Sequence, residues 1–156
     1  MKESRYAEAA QCIYGRLKDD TVNWVITGSM NFALHGIVIE VHDIDIQTDK
    51  SGAYAIEHRL KEFVKDNVRF LESEKIRSHF GTLEIGGITI EIMGDVEKKL
   101  ANGSWDKPPN IEVHKEYIQY KGMKLPVLSL EHEYDAYLKL GRHKKAELLK
   151  NWLDRQ

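Results

Sequence analysis

Residues 43–48, with the sequence DIDIQT, alternate polar and apolar side chains with a strict period of two. This period predicts a β-strand with one buried face. Ile44 and Ile46 belong to the core face, whereas Asp43 and Asp45 project together from the opposite face. Residues two apart on a strand have Cα atoms about 6–7 Å apart, so the two carboxylates can converge on one point. The segment therefore requires a sheet that has a hydrophobic core on one side and an acidic opening on the other.

Helical and strand patterns are mixed along the rest of the chain. The predicted helices cover residues 4–17, 30–35, 51–63 and 94–101, and two segments after Ser129 that are divided at Gly141. The predicted strands cover residues 22–27, 43–48, 68–71, 78–85 and 88–93, with shorter extended pieces near 111–113 and 123–128. Gly86-Gly87 predicts a hairpin turn. This mixture predicts an α+β fold, a mixed β-sheet with helices packed on one face and a cleft on the other.

We expect one domain over residues 1–156, with a core of 22–127 and C-terminal helices at 129–155. Hydrophobic residues make up 42% and charged residues 31%, which is typical of a soluble globular protein. The net charge of −2 argues against general coating of nucleic acid. Cys12 has no partner for an internal disulfide, the N-terminus lacks a signal-peptide pattern, and the apolar runs are too short to span a bilayer. We therefore predict a cytoplasmic protein without a membrane anchor.

Asp43 and Asp45 are candidate metal ligands. Two carboxylates this close repel each other, and a bound cation relieves the repulsion. Oxygen ligands of this kind favour Mg²⁺ or Mn²⁺ over zinc. An isolated Asp-x-Asp pair is also compatible with a solvated acidic edge of the sheet, so the pair needs support from other residues.

Two further features provide that support. Gly28 and Ser29 lie at a predicted strand-to-helix turn, where backbone N–H groups and a serine hydroxyl can bind phosphate. The alternative is a plain turn with a capping serine. Glu91 lies in a strand whose other face carries isoleucines, and a carboxylate in so apolar a segment needs a partner. A metal shared with the two aspartates would be such a partner; a surface-facing glutamate is the alternative.

The segments VITGSMNFALHG, HDIDIQT and ITIEIMGD together resemble the DNA polymerase beta-like nucleotidyltransferase superfamily, in particular its small prokaryotic members. The tail LSLEHEYDAYLKLGRHKKAELLKNWL is similar to the C-terminal helices of antibiotic-modifying members. The resemblance implies a nucleotidyltransferase fold with a helical C-terminus. It covers about the middle half of the chain, and the combined pattern is much more specific than any of its parts.

The resemblance also implies roles for individual residues. Gly28 and Ser29 would bind the triphosphate, Asp43 and Asp45 would ligate two Mg²⁺ or Mn²⁺ ions, and Glu91 would ligate the ion nearer the acceptor hydroxyl. The third acid in the superfamily is often aspartate, so glutamate here leaves its further role as general base open. Lys139, Arg142 and Lys145 could line the cleft near the phosphates, or could instead complement the dipoles of their own helices.

The implied reaction moves a nucleoside monophosphate from an NTP to a hydroxyl group and releases pyrophosphate. The acceptor can be a small molecule, RNA or protein, and the C-terminal helices, a homodimer partner or another protein would recognise it. A second hypothesis is a nucleotide-binding regulatory or antitoxin-type module with little turnover. A third is a structural domain with coincidental motifs, which would leave Glu91 remote from Asp43 and Asp45.

Overall fold

The chain alternates between helices and strands from its beginning to its end. The computed structural model describes residues 3–19 and 21–156. The first half contains α1 (Glu3–Leu17), β1 (Trp24–Thr27), α2 (Gly28–Leu34), β2 (Ile44–Thr48), α3 (Lys50–Arg59), β3 (Val64–Glu72) and β4 (Ile76–Ile85). The second half contains β5 (Ile88–Lys98), α4 (Ile111–His114), β6 (Lys115–Tyr120), β7 (Met123–Leu128), α5 (Leu130–Lys139) and α6 (His143–Asp154).

The strands form one mixed sheet in the order β3-β4-β5-β2-β1-β7-β6. β1 is antiparallel to β2 and parallel to β7, whereas β2 is parallel to β5. The α+β class, the mixed sheet and the helical C-terminus predicted from the sequence are confirmed. β2 lies in the middle of the sheet, so its polar face is flanked by a strand on each side.

The main core lies between the sheet and helices α1 and α3. Ile44, Ile46, Ile90 and Ile92 of the two parallel strands are fully buried there, together with Ile56 of α3. The alternation of residues 43–48 explains this, because Ile44 and Ile46 share one face of β2. The acidic residues of β2 and β5 consequently project from the opposite face of the sheet.

Helices α5 and α6 build a second, smaller core against α2. Phe32, Tyr137 and Leu149 are buried in it, and the Phe32 and Tyr137 rings meet edge to face at 6.0 Å. Leu130, Tyr137 and Leu140 form the apolar stripe of α5. This arrangement holds α5 beside the acidic face of the sheet.

The helix predicted at residues 94–101 is wrong, because β5 continues as a strand to Lys98. Its last residues pair with β4, with Lys98 opposite Ile76. Asp95 has a φ of 50°, and the register between β4 and β5 shifts by one residue at this point. These features define a β-bulge, which local helical spacing cannot reveal because it depends on pairing with β4.

Two smaller differences concern the segment before β7. Residues 111–114 form one turn of helix instead of an extended piece, and the Asn110 side chain caps it by accepting a hydrogen bond from the backbone of Glu112. Strand β6 was not predicted, and it is an edge strand that pairs only with β7 among the described strands. In the described part of the chain, no helix is both long enough and apolar enough to cross a membrane.

Candidate active site

Two adjacent strands, β2 and β5, bring the predicted acidic residues together. Asp45 is opposite Glu91 in the parallel β2–β5 ladder and opposite Thr27 in the antiparallel β1–β2 ladder. Asp43 lies one residue before β2 and two residues from Asp45. Carboxylate oxygens of Asp43, Asp45 and Glu91 all lie within 4.8 Å of one another. The predicted convergence is confirmed, and we call these three residues the carboxylate cluster.

The carboxylate cluster has an excess of negative charge. Burial, followed by the charges of Asp43 and Glu91, raises the pKa of Asp45 to about 8. Burial, followed by the charge of Asp43, also raises the pKa of Glu91. None of the ion pairs among residues 3–19 and 21–156 involves a member of this cluster. Three carboxylates without a cationic side chain are a donor set that fits Mg²⁺ or Mn²⁺.

Gly28 brings the turn after β1 into direct contact with the carboxylate cluster. Its φ is +73°, and a Cβ at this position would collide with Oδ2 of Asp45. An L-residue would therefore be strained twice, by the left-handed backbone and by the collision. Glycine at position 28 allows the Gly28-Ser29 turn to lie against Asp45.

Glu133 of α5 is a site residue that was not predicted from the sequence. It is 3% exposed and accepts hydrogen bonds from Thr27 Oγ1 at 2.7 Å, from the Gly28 backbone N–H at 3.1 Å and from Asn31 Nδ2. Burial raises the pKa of Glu133 to about 7, against the opposing effect of these donors. Its position between Leu130 and Tyr137, within the apolar stripe of α5, was the signal available in the sequence.

The contact with Glu133 corrects one detail of the predicted phosphate site. The Gly28 N–H already donates to the Glu133 carboxylate, so it is not free to bind a triphosphate. The Ser29 hydroxyl remains available, because no hydrogen bond to it is formed by the described residues. Glu133 therefore anchors the Gly28-Ser29 turn through hydrogen bonds. Ser29 lines a cavity next to this turn.

Replacing Glu133 by Gln is expected to destabilise the protein by about 1–3 kcal/mol at pH 8. Glutamine has one acceptor oxygen where the carboxylate has two, so its NH2 group must face either the Thr27 hydroxyl or the Asn31 amide, both of which donate to Glu133. Asn31 cannot reverse because its Nδ2 also donates to the Leu128 carbonyl at 2.7 Å. Denaturant unfolding measures the change. The matched control is Glu131→Gln, which removes an exposed acid from the same helical turn. Equal losses for the two variants would contradict the bracing role of Glu133.

A cavity of about 450 Å³ opens on one side of the carboxylate cluster. It is lined by Ser29, Asp43 and Asp45, with Arg142 and Lys145 from the start of α6. Neither basic residue forms an ion pair with a described acidic side chain. This cavity, which we call the phosphate cavity, places a hydroxyl donor and two cations beside the carboxylates of Glu40, Asp43 and Asp45.

Lys139 does not lie in the phosphate cavity. Its Nζ binds Asp106 Oδ2 at 2.9 Å, and it lines a different cavity together with Lys98 and His132. The prediction that Lys139 contributes to phosphate binding is therefore not supported by its position. Lys145, one helical turn after Arg142, lies where Lys139 was expected.

A second cavity, of about 280 Å³, lies between β5 and α5 on the other side of Asp45. We call it the inner cavity; Glu91, Met93 and Lys98 of β5 line one wall, and Glu133 and Tyr137 of α5 line the other. Asp45 and Arg142 line both the inner cavity and the phosphate cavity. The carboxylate cluster thus stands between two cavities, each of which is lined by both acidic and basic side chains.

Comparison with known proteins identifies the family. The profile of the aminoglycoside-2''-adenylyltransferase family matches residues 10–151. The chain belongs to this family. Membership confirms the resemblance to polymerase beta-like nucleotidyltransferases and places the protein among the nucleotidyltransferase enzymes. No protein of curated function matches the chain significantly in sequence.

Solved structures agree with the assignment to the aminoglycoside-2''-adenylyltransferase family. A protein from Thermotoga maritima, provisionally described as a nucleotidyltransferase, is 54% identical, with a TM-score of 0.87 over 100% of this chain and 97% of that one. ANT(2'')-Ia, solved with adenylyl-2''-tobramycin, is 13% identical, with a TM-score of 0.58 over 94% of this chain and 88% of its own. The lincosamide antibiotic adenylyltransferase LnuA, solved with lincomycin, is 16% identical, with a TM-score of 0.60 over 92% and 95%. At this identity the last two show a shared fold alone.

Proposed function

We propose that this protein transfers a nucleoside monophosphate from an NTP to a hydroxyl group of an acceptor and releases pyrophosphate. The convergence of Asp43, Asp45 and Glu91 within 4.8 Å is the observation that carries the proposal. Membership in a nucleotidyltransferase family supports the reaction class. The position of the carboxylate cluster between two cavities supports separate places for donor and acceptor.

The residues in and around the carboxylate cluster have different roles in the proposed reaction. Asp43, Asp45 and Glu91 would hold divalent cations, Mg²⁺ or Mn²⁺, which when bound neutralise charge on the triphosphate and on the attacking and leaving oxygens. Ser29 donates a hydrogen bond to a phosphate oxygen, and Arg142 and Lys145 bind the remaining phosphate charge. Gly28 keeps the turn close enough to Asp45 for these groups to act on one substrate.

The acceptor hydroxyl enters from the inner cavity. Its oxygen forms a bond to the α-phosphorus, the bond from that phosphorus to the bridging oxygen breaks, and pyrophosphate leaves through the phosphate cavity. The hydroxyl proton goes to a carboxylate, for which we propose Glu91, the member of the cluster that lines the inner cavity together with Asp45.

Lys145→Met is expected to weaken binding of α,β-methylene-ATP in the presence of Mg²⁺ by about tenfold or more, because a charge-assisted contact to phosphate is lost. Calorimetric titration measures the affinity, and the same titration with EDTA should show little binding. Lys144→Met is the control, since Lys144 is the preceding residue of α6 and does not line the phosphate cavity. Equal affinities for the two variants, or binding that ignores the metal, would contradict the assignment of the phosphate cavity.

The second candidate function is a nucleotide-binding regulatory or antitoxin-type module with little turnover. The intact carboxylate cluster favours the enzyme, because a binding module would not need three converging acids. Release of pyrophosphate from each of the four NTPs, in the presence of neutral, cationic and anionic hydroxyl compounds, separates the two functions. Tight metal-dependent nucleotide binding without pyrophosphate release from any combination would favour the regulatory module.

A further inference from the structure

The bulge at Asp95 changes which residues of β5 face the inner cavity. Before the bulge, Glu91 and Met93 line the cavity; after it, Val96 and Lys98 do. Without the extra residue, the period of two would place Lys98 on the face opposite Glu91. The left-handed backbone conformation of Asp95 destabilises the folded state by about 1 kcal/mol or more. The bulge that contains Asp95 nevertheless directs Lys98 toward the inner cavity.

Lys98 is a half-buried cation to which no described acid is bound. None of the ion pairs or side-chain hydrogen bonds among residues 3–19 and 21–156 includes its ammonium group. Two acids are near it, but Asp106 binds Lys139 and Glu133 accepts hydrogen bonds from Thr27, Gly28 and Asn31. Burial, followed by the charge of Lys139, lowers the pKa of Lys98, as expected of a cation that lacks a partner.

Lys98 lies at the junction of two cavities that are lined by both basic and acidic side chains. It lines both the inner cavity and an adjoining cavity of about 530 Å³, which Lys107, His132 and Lys139 also line. The imidazole of His132 stacks on that of His114 at 4.0 Å. Burial, followed by the charges of His114 and Lys98, lowers the pKa of His132 to about 4, so His132 is a neutral group that can donate one hydrogen bond near pH 7. Asp135 is the remaining acid on this wall and is exposed.

We propose that Lys98, with His132 beside it, binds an oxyanion carried by the acceptor, so that the acceptor is a hydroxyl compound bearing a phosphate or carboxylate group. This inference rests on the proposed function, because the inner cavity is taken as the entrance for the acceptor. The anionic group occupies the end of the cavity at Lys98, and the hydroxyl points toward Glu91 and Asp45. A polycationic acceptor would place a positive charge against Lys98 and is disfavoured for that reason.

The test is titration of the full chain with inorganic phosphate after the phosphate cavity is saturated with α,β-methylene-ATP and Mg²⁺. We expect wild-type protein to bind phosphate, Lys98→Met to weaken this binding tenfold or more, and Lys98→Arg to retain most of it. Lys65→Met removes the same charge from the exposed face of β3 and should leave binding unchanged. Acetate in place of phosphate shows whether the preferred group is a carboxylate.

Three outcomes are decisive. The inference would be overturned if neither phosphate nor acetate bound to the nucleotide-loaded wild-type protein. It would also be overturned if Lys98→Met and Lys65→Met bound phosphate with equal affinity. A wild-type protein that binds no nucleotide would instead overturn the proposed function. In that event, titration of phosphate into Lys145→Met still tests Lys98, because that variant lacks one of the two free cations of the phosphate cavity.

Discussion

Asp45→Asn is expected to lower the rate of nucleotidyl transfer by about a hundredfold or more, and to leave the metal-free protein as stable as wild type or more stable. The loss of activity follows because the carboxylate cluster loses an anionic ligand for the divalent cation. The gain in stability follows because asparagine is neutral in both states, whereas Asp45 on folding must either take up a proton or bear repulsion from Asp43 and Glu91, at a cost on the order of 1 to 4 kcal/mol. Mg²⁺ should raise the melting temperature of wild type much more than that of the variant.

The difference in stability between Asp45→Asn and wild type should depend on pH. The folded-state pKa of Asp45, about 8, lies above the value of about 4 for an unfolded aspartate. The folded protein therefore retains a proton that the unfolded chain releases, so Asp45 lowers wild-type stability progressively as pH rises from about 4 to about 8. Asparagine does not titrate, and the advantage of the variant should grow over the same interval.

Denaturant unfolding without metal at pH 5, 6, 7 and 8 measures this difference. Glu74→Gln, at an exposed turn between β3 and β4, is the control for removal of a charge and should show little dependence on pH. A variant that unfolds far more easily than wild type, yet responds equally to Mg²⁺, would show that Asp45 has a structural role.

Gly28→Ala is expected to lower stability by about 2–5 kcal/mol and to reduce transfer at least tenfold. About 1–2 kcal/mol comes from a left-handed residue that carries a Cβ, and the remainder from the collision with Asp45 Oδ2. To relieve the collision, either the turn or the Asp45 carboxylate must move. Both movements separate the Ser29 hydroxyl from the carboxylate cluster. Thermal unfolding and pyrophosphate release measure the two effects.

Gly122→Ala separates the two causes. Gly122 has a φ of +80° in the turn between β6 and β7, and a Cβ there would meet nothing within 4 Å. Its replacement should cost only the backbone strain. In the Asp45→Ala background, the loss of stability caused by Gly28→Ala should fall toward the loss caused by Gly122→Ala, because the colliding oxygen is absent. If Gly28→Ala lowers the free energy of unfolding of the wild-type protein no more than Gly122→Ala does, the close approach to Asp45 has no energetic consequence.

The carboxylate cluster could be predicted because its signals are local. The two-residue period places Asp43 and Asp45 on one face, and an acid within an apolar strand marks Glu91. That β2 and β5 are neighbours could be inferred only from the family resemblance, since periodicity does not state which strands pair. The metal-binding role of the three residues remains a prediction.

The partners of Lys98 and Glu133 could not be predicted because they come from distant parts of the chain, although the helical spacing of Glu133 with Leu130 and Tyr137 indicates its burial. The bulge that directs Lys98 toward the inner cavity depends on the pairing of β5 with β4. The burial of Glu133 depends on the packing of α5 against α2, and its partners lie about a hundred positions earlier in the chain. Charged residues near strand ends are usually solvated, so the local pattern favoured the wrong surroundings for Lys98.

The parallel pairing of β2 with β5 has a consequence for the kinetics of folding. Helix α3 and the β3–β4 hairpin lie between these strands in sequence, so Asp45 meets Glu91 only when this long connection has closed. Repulsion among the carboxylates is then weak in the transition state and strong in the native state. It should accelerate unfolding while leaving the folding rate nearly unchanged, and a divalent cation should extend the lifetime of the folded protein chiefly by slowing its unfolding.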